Sequence, residues 1–439
     1  MTQPIHPSRR QFIQTSAAVG GALALGGSFS TAYAQGTDEI KVALVGCGGR
    51  GTGAVAQIFN TKGNTKLVAV ADALQEKAEG TVNGLRNRNK DKVAANVEIH
   101  SGLDAYKKAI DSDCDLVVIA TPPGFKPQQF EYAVSKGKHV FCEKPVAADA
   151  PGVRRFLAAV EESKKKNLMV GIGLQRRHET HYKNIIGQIH DGAIGDILAL
   201  RVYWNGGGIW FRDRKPGWTD MQDQCNNWYH FIWACGDQIC EQHIHNLDVG
   251  CWAKGKYPVS ANGMGGWGRR LDGDGKQSQI YDHTFVEYTF DDGTKMWSQG
   301  RHLRNSWTQV AEFAHGTKGN AYFPGMLEVN GQRTRIEGKG GGHQQEQHNL
   351  IEGLMAGNIY NEGEYGAKST FTAILGREAC YSGKVVNWDD LLAKGKDYCP
   401  GIDNWTFQSE PPATKDENGA YHVPKPGIYD PYGPLVRGA

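Results

Sequence analysis

The chain of 439 residues lacks three features: an apolar run long enough to span a membrane, an internal repeat and a sizeable net charge. Its formal charge of +2 gives no electrostatic reason to expect nucleic acid or an anionic membrane as a partner. Leu, Ile, Val and aromatic residues occur throughout, so the chain is not of low complexity. We therefore expect two or three folded domains, no nucleic-acid partner and no membrane span.

A disulfide framework is missing as well. The nine cysteines are an odd number, and their spacing matches neither a disulfide scaffold nor a zinc site. Cys47, Cys114 and Cys142 fall in or beside predicted buried strands. Cys235 and Cys240 are five residues apart, which leaves a pairing between them open. Reduced, buried cysteines fit the composition better than a disulfide scaffold.

The N-terminal segment has the features of a twin-arginine export signal. Residues 8–13 read Ser-Arg-Arg-Gln-Phe-Ile, a small apolar run follows at 17–25, and residues 32–34 form an Ala-x-Ala cleavage site. We expect residues 1–34 to be a signal peptide and the mature chain to start at Gln35. The protein is then periplasmic or otherwise exported, and it folds before export.

Between residues 38 and 160 the sequence alternates between strand and helix patterns. Each predicted strand is a short run of apolar and β-branched residues, which is typical of a parallel sheet covered by helices on both faces. The alternation predicts an α/β fold with an N-terminal Rossmann dinucleotide-binding domain. The predicted strands are residues 40–45, 66–71, 115–120 and 139–142, and the predicted helices are residues 51–59 and 130–136.

Residues 161–395 have a different pattern, with long strand-like runs and a strong hairpin turn at Asp291-Asp292-Gly293. They predict a C-terminal α/β domain with a large, mostly antiparallel sheet. One face of that sheet is expected to hold helices and the other a subunit contact, in a homodimer or homotetramer. The proline-rich residues 396–439 predict an extended arm over the surface or over a partner subunit. The predicted elements after residue 150 are helices at 151–166 and 182–189 and strands at 168–174, 197–204, 284–290, 295–299 and 321–323.

A glycine-rich turn follows the first predicted strand and opens the first predicted helix. Its sequence, Gly46-Cys47-Gly48-Gly49-Arg50-Gly51, lets the backbone approach a pyrophosphate and offers that anion the free N–H groups of a helix N-terminus. Asp72 ends the second strand, where a carboxylate accepts ribose hydroxyl groups and repels a 2′-phosphate. The pattern predicts NAD as the cofactor, while Arg50 beside the turn leaves NADP open.

Two more predicted strands end at the edge where ligands bind in open α/β sheets. Thr121 and Pro122 follow one of them, although a plain turn explains these residues equally well. Glu143 and Lys144 follow the other, and a solvated lysine fits that pattern as well as a catalytic one. The predicted cofactor-binding residues are Gly46, Gly48, Gly49, Arg50, Gly51, Asp72, Thr121, Pro122, Glu143 and Lys144.

The segment from Glu241 to Asp248, Glu-Gln-His-Ile-His-Asn-Leu-Asp, is the second candidate for catalysis. If it is one helix, Glu241, His245 and Asp248 share a face. His245 then takes a proton from an alcohol, and a carboxylate one turn away orients the imidazole and stabilises its charged form. A metal at His243 and His245 is a rival, but on a helix these side chains face apart, so we predict no metal. The alternative is that both histidines are ordinary core residues whose hydrogen-bonding groups are satisfied.

Aromatic residues are concentrated between residues 203 and 233. Flat aromatic faces suit the C–H faces of a pyranose ring, and polar neighbours fix its hydroxyl groups. Ordinary loop packing or a subunit interface explains the same composition, and the two interpretations stay open. The residues assigned to carbohydrate binding are Trp210, Arg212, Trp228, His230 and His243.

Together these motifs resemble the Gfo/Idh/MocA family of oxidoreductases, which includes glucose–fructose oxidoreductase and inositol dehydrogenase. The resemblance implies that Lys144 and His245 act on a substrate hydroxyl. The sequence departs from the family pattern at Glu241, where aspartate is usual, and at His243, where glycine is usual. The resemblance covers residues 38–395 and rests on the glycine turn, Asp72, Ala120-Thr121-Pro122-Pro123, Cys142-Glu143-Lys144-Pro145 and Gly195-Asp196.

Three functions remain open at this stage. The resemblance favours an NAD(P)-dependent oxidoreductase that acts on a hydroxyl of a sugar or glycoside and holds its cofactor tightly. The alternative is a redox-neutral, NAD-dependent glycoside hydrolase with a transient keto-sugar intermediate, as in related exported α-N-acetylgalactosaminidases. A non-catalytic sugar-binding protein is the third, and intact Lys144 and His245 argue against it.

Overall fold

The computed structural model describes residues 39–268 and 278–435. The predicted signal peptide at residues 1–34 lies outside these described residues. Within them, no helix is both long enough and apolar enough to cross a membrane. The described chain is built around one six-stranded and one nine-stranded sheet.

The first sheet and its helices form the N-terminal domain. The strands are β1 (Ile40–Val45), β2 (Thr65–Asp72), β3 (Val93–Ser101), β4 (Leu116–Ile119), β5 (His139–Cys142) and β6 (Val170–Ile172). The helices are α1 (Gly49–Phe59), α2 (Gln75–Arg88), α3 (Ala105–Asp111), α4 (Lys126–Ser135) and α5 (Ala150–Lys165). All strand pairs are parallel, in the order β3-β2-β1-β4-β5-β6. This is the Rossmann order, which opens a ligand crevice at the carboxyl ends of β1 and β4.

The predicted Rossmann fold is confirmed, with two corrections. Helix α2, strand β3 and helix α3 lie between the predicted second and third strands, where the sequence pattern predicts no element. Strand β6 was assigned to the second domain, yet it pairs with β5 as an edge strand of the first sheet. The first sheet therefore extends past the predicted domain boundary at residue 160.

The second sheet is large and mostly antiparallel, as predicted. Its strands are β7 (Ile197–Gly206), β8 (Ser260–Gly266), β9 (His283–Thr289), β10 (Lys295–His302), β11 (Gln309–Gly316), β12 (Gly319–Tyr322), β13 (Met326–Val329), β14 (Gln332–Arg335) and β15 (Val386–Asn387). Their order is β14-β13-β12-β11-β7-β10-β9-β8-β15, and β7 and β10 are its one parallel pair within the described residues. The predicted hairpin turn joins β9 to β10, where the Phe290 N–H donates to the Thr294 carbonyl oxygen over 2.9 Å.

The helices after α5 are α6 (Thr180–His190), α7 (Asp220–Asn226), α8 (Ile232–Cys235), α9 (Gln238–Glu241), α10 (Ile244–Lys254), α11 (Gly342–Ala356), α12 (Gly363–Ser382) and α13 (Trp388–Lys394). Helices α9, α10 and α12 pack against this sheet, whereas α11 packs against α1 of the first domain. Helix α12 packs against β8 and β9 on one side and against α5 of the first domain on the other. Its Thr370 hydroxyl accepts the Val146 N–H over 3.1 Å, which ties the loop after β5 to the second domain.

The opposite face of the nine-stranded sheet carries aromatic and apolar side chains. Met264 is 69% exposed, Trp307 58% and Phe285 37%, while the alternate residues of these strands, such as Val286, are buried in the core. The Tyr203 ring packs edge-on against Trp307 on this face. An apolar surface of this kind is typical of a contact between protein chains.

The proline-rich arm lies over its own second domain as far as residue 435. The Tyr281 hydroxyl donates to the Pro424 carbonyl oxygen over 2.8 Å, and the Tyr429 hydroxyl donates to Glu378 over 2.6 Å. Tyr421 is buried against Phe231, with ring centroids 5.0 Å apart. Aromatic anchors thus fix the arm in place.

All nine cysteines are free, and only Cys399 is not fully buried. The open pairing between Cys235 and Cys240 is therefore settled against a disulfide. Burial raises the pKa of the Cys142 and Cys225 thiols to about 12, so these thiols stay protonated and act as small core residues.

Candidate active site

The glycine turn between β1 and α1 has the conformation that its motif requires. Gly46 has a φ of +98°, and a Cβ on it would lie 2.6 Å from the backbone of Ala120. A Cβ on Gly51 would lie 2.1 Å from the Gly46 carbonyl oxygen. A Cβ on Gly48 or Gly49 would meet nothing within 4 Å. The turn is therefore closely packed on its inner side and open on the side where a ligand binds.

A cavity of about 470 Å³ opens in front of this turn. Helix α1 begins at Gly49 with no side chain capping its first turn, so its free N–H groups and positive dipole end are available to an anion. At the carboxyl end of β2, the Asp72 carboxylate accepts the Cys47 N–H over 2.8 Å and the Leu74 N–H over 2.9 Å. An anion site next to a fixed carboxylate fits the pyrophosphate and the ribose of a dinucleotide.

Most of the predicted cofactor residues surround this cavity. Gly51 packs behind the turn, and Glu143 and Lys144 are not among the residues that line the cavity. The predicted residues that line it are Gly46, Gly48, Gly49, Arg50, Asp72, Thr121 and Pro122.

Replacing Gly51 with alanine tests the packing of the turn. The new methyl group would overlap the Gly46 carbonyl, so we expect a loss of about 1–3 kcal/mol in stability and at least a tenfold weaker affinity for NAD. Gly53→Ala is the matched control, because its Cβ has no neighbour closer than 3.9 Å and alanine suits a helix interior better. Thermal unfolding and NAD titration measure both effects, and equal behaviour of the two variants would contradict the tight-turn interpretation.

Arg50 does not point toward the ribose end of the cavity. Its guanidinium pairs with Glu143, donates to Gln57 over 2.9 Å and lies 3.4 Å from Glu346 on α11. Burial and the nearby Glu143 carboxylate raise the pKa of Glu346 well above its usual range. The Arg50 guanidinium thus lies against the carboxyl groups of Glu143 and Glu346. Because these groups already engage it, Arg50 gives no support for binding the 2′-phosphate of NADP.

Lys144 and Glu241 form a buried pair next to the loop after β5. The Lys144 ammonium donates to the Glu241 carboxylate over 2.9 Å and to the Glu241 carbonyl oxygen over 2.5 Å. Behind the loop, the buried Lys126 ammonium donates to the Pro145 carbonyl oxygen over 2.9 Å. No sequence pattern points to Lys126, because its role depends on a contact between α4 and this loop.

His245 is buried, and its ring lies 6.1 Å from the ring of Trp204. Burial, followed by the charges of Lys144 and Arg176, lowers the pKa of His245 well below its usual range. No carboxylate of the described residues is hydrogen-bonded to this ring, and its buried Nδ1 has no partner there. The expectation that Glu241 orients His245 and stabilises its charged form is therefore wrong, because burial and the nearby cations disfavour the charged imidazole.

The condition for a shared face, a single helix from Glu241 to Asp248, is not met. Helix α9 ends at Glu241 and α10 begins at Ile244, so the chain bends between them. Asp248 turns away to pair with Arg177 over 2.8 Å and to accept the Ser369 hydroxyl over 2.6 Å. The bend directs Glu241 toward Lys144 instead of toward His245.

Two histidines assigned to substrate binding are structural. The His243 Nε2 lies 2.7 Å from the Ser298 hydroxyl, and burial lowers the pKa of His243 to about 3. The His230 Nε2 lies 2.7 Å from the Trp210 carbonyl oxygen, and His230 is fully buried. Among the described residues no group of side chains could hold a metal ion.

The other three residues assigned to the sugar line the coenzyme cavity. Trp210, Arg212 and Trp228 share it with the glycine turn, so the second domain contributes part of the cavity wall. Trp210 also borders a second cavity of about 420 Å³ next to the active site. Sequence reasoning missed Lys77, which lines the coenzyme cavity five residues after Asp72, where a helical lysine is usually solvated.

Known proteins share these sequence features. Residues 40–172 match the oxidoreductase family with an NAD-binding Rossmann fold, GFO_IDH_MocA, and residues 6–26 match the twin-arginine translocation signal sequence. The inositol 2-dehydrogenase of Rhizobium meliloti (strain 1021) is 29% identical over 221 residues, 50% of this chain and 57% of that protein. Inositol 2-dehydrogenase 4 of Saccharopolyspora erythraea is 31% identical over 218 residues, 50% of this chain and 55% of that protein. The match thus spans little more than half the length of these curated relatives.

Solved structures of two enzymes have the same fold. Scyllo-inositol dehydrogenase from Lactobacillus casei, with bound NAD(H) and scyllo-inositol, has a TM-score of 0.60 at 21% identity over 80% of this chain and 100% of that chain. The aldose-aldose oxidoreductase from Caulobacter crescentus, complexed with glycerol, has a TM-score of 0.61 at 19% identity over the same shares. The cavity at the glycine turn, the matched Rossmann segment and the leader lead to one assignment. Residues 40–172 form an NAD-binding Rossmann domain of the Gfo/Idh/MocA oxidoreductase type, and the chain carries a signal for twin-arginine export.

Proposed function

We propose that this protein uses NAD to oxidise or reduce a hydroxyl-bearing carbon of a sugar or other polyol, and that the cofactor stays bound between turnovers. The observation that carries the proposal is the position of His245 and Lys144 beside the coenzyme cavity. Lys144 directly follows Glu143, whose carboxylate pairs with Arg50 in the wall of the cavity, and the charges of Lys144 and Arg50 both lower the pKa of His245. A neutral base, an ammonium group and the coenzyme site therefore meet in one place.

His245 is the group that takes the hydroxyl proton. Its lowered pKa keeps the ring neutral at physiological pH, so its nitrogen is free to accept a proton. Bound NAD supplies the acceptor for the hydride.

Lys144 is suited to stabilise the oxygen that loses this proton. Two of its ammonium hydrogens are directed to the carboxylate and the carbonyl oxygen of Glu241, which fixes the position of the charge. A lysine ammonium has three donors, so one remains for a substrate oxygen. A fixed donor of this kind stabilises negative charge that develops in the transition state.

A second cavity, which shares Trp210 with the coenzyme cavity, supports a polyol as the substrate. The residues that line it include Trp210, Tyr229, Gln242, His302 and Arg304. Among them, Gln242 directly follows Glu241, the partner of Lys144. Aromatic faces with hydrogen-bonding neighbours suit a pyranose or cyclitol ring. The names of the relatives, inositol dehydrogenases and an aldose-aldose oxidoreductase, support the same substrate class.

The mature protein, purified without added cofactor, is the material for the test. We expect denaturation to release close to one nicotinamide dinucleotide per chain, since the second domain helps to enclose the cavity. Inositols, aldoses and nitrophenyl glycosides are then screened while reduced nicotinamide and nitrophenol are followed together. Reduction of the cofactor without release of nitrophenol supports the proposal. Release of nitrophenol without any net change in the cofactor favours the glycosidase. Activity with hydroxy acids alone overturns the carbohydrate assignment.

Self-association through the open face of the nine-stranded sheet is part of the same proposal. We expect a homodimer or homotetramer, because Met264 and Phe285 are exposed there among aromatic neighbours. Changing both to glutamate should reduce the molar mass measured by light scattering without lowering the melting temperature. Ile428→Glu is the control, because this apolar residue is 80% exposed on the C-terminal arm and lies outside that face. A monomeric wild-type protein would contradict the expectation.

A further inference from the structure

The second cavity lies where two strands of the nine-stranded sheet end side by side. Strands β7 and β10 pair in parallel, and the last pair in their register joins Gly206 to His302. The segments that follow both strands line the cavity, with residues 207–208 after β7 and Arg304 after β10. The Leu303 N–H donates to the Gly206 carbonyl oxygen over 3.2 Å, so the two segments are held against each other.

Arg304 is the one charged residue among the described residues that line this cavity. His302 lines it too, but burial lowers the pKa of His302 to about 4, so its imidazole is neutral at physiological pH. The buried Asp282 carboxylate, beside the end of β10, is engaged by the Gly268 N–H over 2.8 Å and by His283 over 2.6 Å. The described wall of the cavity therefore offers a ligand positive charge and no carboxylate.

The Arg304 side chain has a fixed stem and an unoccupied guanidinium. A Cβ on Gly208 would lie 3.1 Å from the Arg304 Cγ and Nε, so the stem packs directly on the backbone of this glycine, whose φ is +91°. Within residues 39–268 and 278–435 the guanidinium has neither a hydrogen-bond acceptor nor a carboxylate partner. Because Arg304 is exposed, an incoming anion reaches its N–H donors without displacing a protein group.

Trp204 connects the second cavity to the catalytic residues. Its ring lies 6.1 Å from the ring of His245. Trp204 and Gly206 are two residues apart on β7 and therefore share a face of the sheet. A Cβ on Gly206 would lie 3.6 Å from the Trp204 indole nitrogen and 3.7 Å from the His302 Nδ1. Trp204 thus lies between His245 and the part of the cavity wall that His302 forms.

We propose that Arg304 binds an oxyanion substituent of the substrate, so that the preferred substrate is an anionic sugar: a sugar acid, or a phosphate or sulfate ester of a sugar. A planar guanidinium matches such a group with two parallel N–H donors. The substrate then presents a hydroxyl to His245 and extends past Trp204 to Arg304. This inference rests on the proposed function, which leaves the charge of the sugar open.

The first test compares anionic sugars with their neutral counterparts on the mature, NAD-loaded protein. Hexuronates, hexose 6-phosphates and hexose 6-sulfates of the gluco, galacto and manno series are measured beside the free hexoses, by turnover and by calorimetric titration. We expect one anionic class to be favoured by about tenfold or more, the size of a hydrogen bond between charged groups. Added NaCl should reduce the preference, because an exposed ion pair is screened by salt. The favoured class distinguishes a carboxylate from an ester.

The second test removes the guanidinium. Arg304→Gln should raise KM for the favoured anionic sugar by about tenfold to a hundredfold. The effect should fall on KM more than on kcat, because the interaction is the same in the ground state and the transition state. Arg304→Lys keeps the charge and should retain part of the preference. Arg214→Gln is the matched control, since Arg214 is exposed, pairs with Asp220 and lines neither cavity. Melting temperatures confirm that each variant is folded.

Equal affinity and equal kcat/KM for anionic and neutral sugars overturn the inference and leave the proposed function in place. A preference that survives in Arg304→Gln also overturns it, as does a preference lost to the same extent in Arg214→Gln. A chain that binds an anionic sugar through Arg304 but transfers hydride to or from no sugar is a different result, because it contradicts the proposed function and not the anion site.

Discussion

Replacing His245 with alanine is expected to lower kcat/KM by about 10²–10⁴-fold, the usual contribution of a general base, while the bound cofactor stays at the wild-type level. The ring is buried and neutral, so its loss removes a proton acceptor and leaves no unpaired charge behind. Turnover with the substrate found in the screen and nucleotide content after denaturation are the two measurements. Added imidazole should restore part of the activity, because the cavity left by the ring accommodates a free base.

His190→Ala is the control for this variant. His190 lies at the end of α6, where its Nε2 is 3.0 Å from the Trp252 carbonyl oxygen, away from the coenzyme cavity. We expect its activity to stay close to that of the wild type. Near-normal turnover of His245→Ala would remove the base assignment, and loss of the cofactor would show that His245 supports the nucleotide instead.

The pH dependence follows from the same burial. An unfolded histidine titrates near pH 6.5, and the folded pKa of His245 lies well below that value, with His302 lowered to about 4. Between pH 6.5 and about 4 the unfolded state therefore binds more protons, so the free energy of unfolding falls as the pH falls. Catalysis by a neutral His245 persists below pH 6.5, and its acidic limb lies lower than that of an ordinary histidine.

The first sheet was predictable because its strands are buried on both faces. Strands such as β5 (His139–Cys142) are then short continuous apolar runs, and each ends at a loop with a recognisable composition. Strand β3 was not predicted, for the opposite reason. It is an edge strand with mostly exposed or half-exposed residues, and α2 before it buries only four side chains in 14 residues, so neither has a strong periodic pattern.

The cofactor site was predictable and the catalytic site only in part. The glycine turn is a local motif, since its residues are adjacent in sequence and their spacing specifies the geometry. The pairing of Lys144 with Glu241 joins residues 97 positions apart and depends on the bend between α9 and α10. Helical spacing predicted the wrong partner, because nothing in the residues around Gln242 and His243 marks a helix end.

The aromatic segment between residues 203 and 233 shows a different limit of prediction from sequence. Its composition suggested a carbohydrate site, but composition does not say which cavity a ring lines. In the structure Trp210 stands between the coenzyme cavity and the smaller polar cavity, and the Arg212 guanidinium stacks on it. That position is set by Asn227 and His230, which are buried behind the segment and hold its backbone.

Replacing Lys144 with methionine should lower kcat by about 10²–10⁴-fold, an effect of the size expected for His245 but with a different cause. Methionine keeps most of the side-chain volume and removes the ammonium group. The substrate oxygen then loses its fixed donor, and the buried Glu241 carboxylate loses its partner. Because an unpaired buried carboxylate is unfavourable, the double variant Lys144→Met/Glu241→Gln should melt at a higher temperature than the single variant while remaining inactive.

A primary amine gives this prediction its sharpest test. In Lys144→Ala, where space for a small molecule is left, added ethylamine should restore part of the activity with saturation, whereas tertiary amines of similar basicity should not. Lys138→Met is the control, since Lys138 donates to the Cys114 carbonyl oxygen over 2.7 Å and does not line the coenzyme cavity. Activity near that of the wild type in Lys144→Met would show that the ammonium does not act on the substrate. Loss of both bound NAD and activity would instead show that Lys144 acts on the cofactor and not on the substrate.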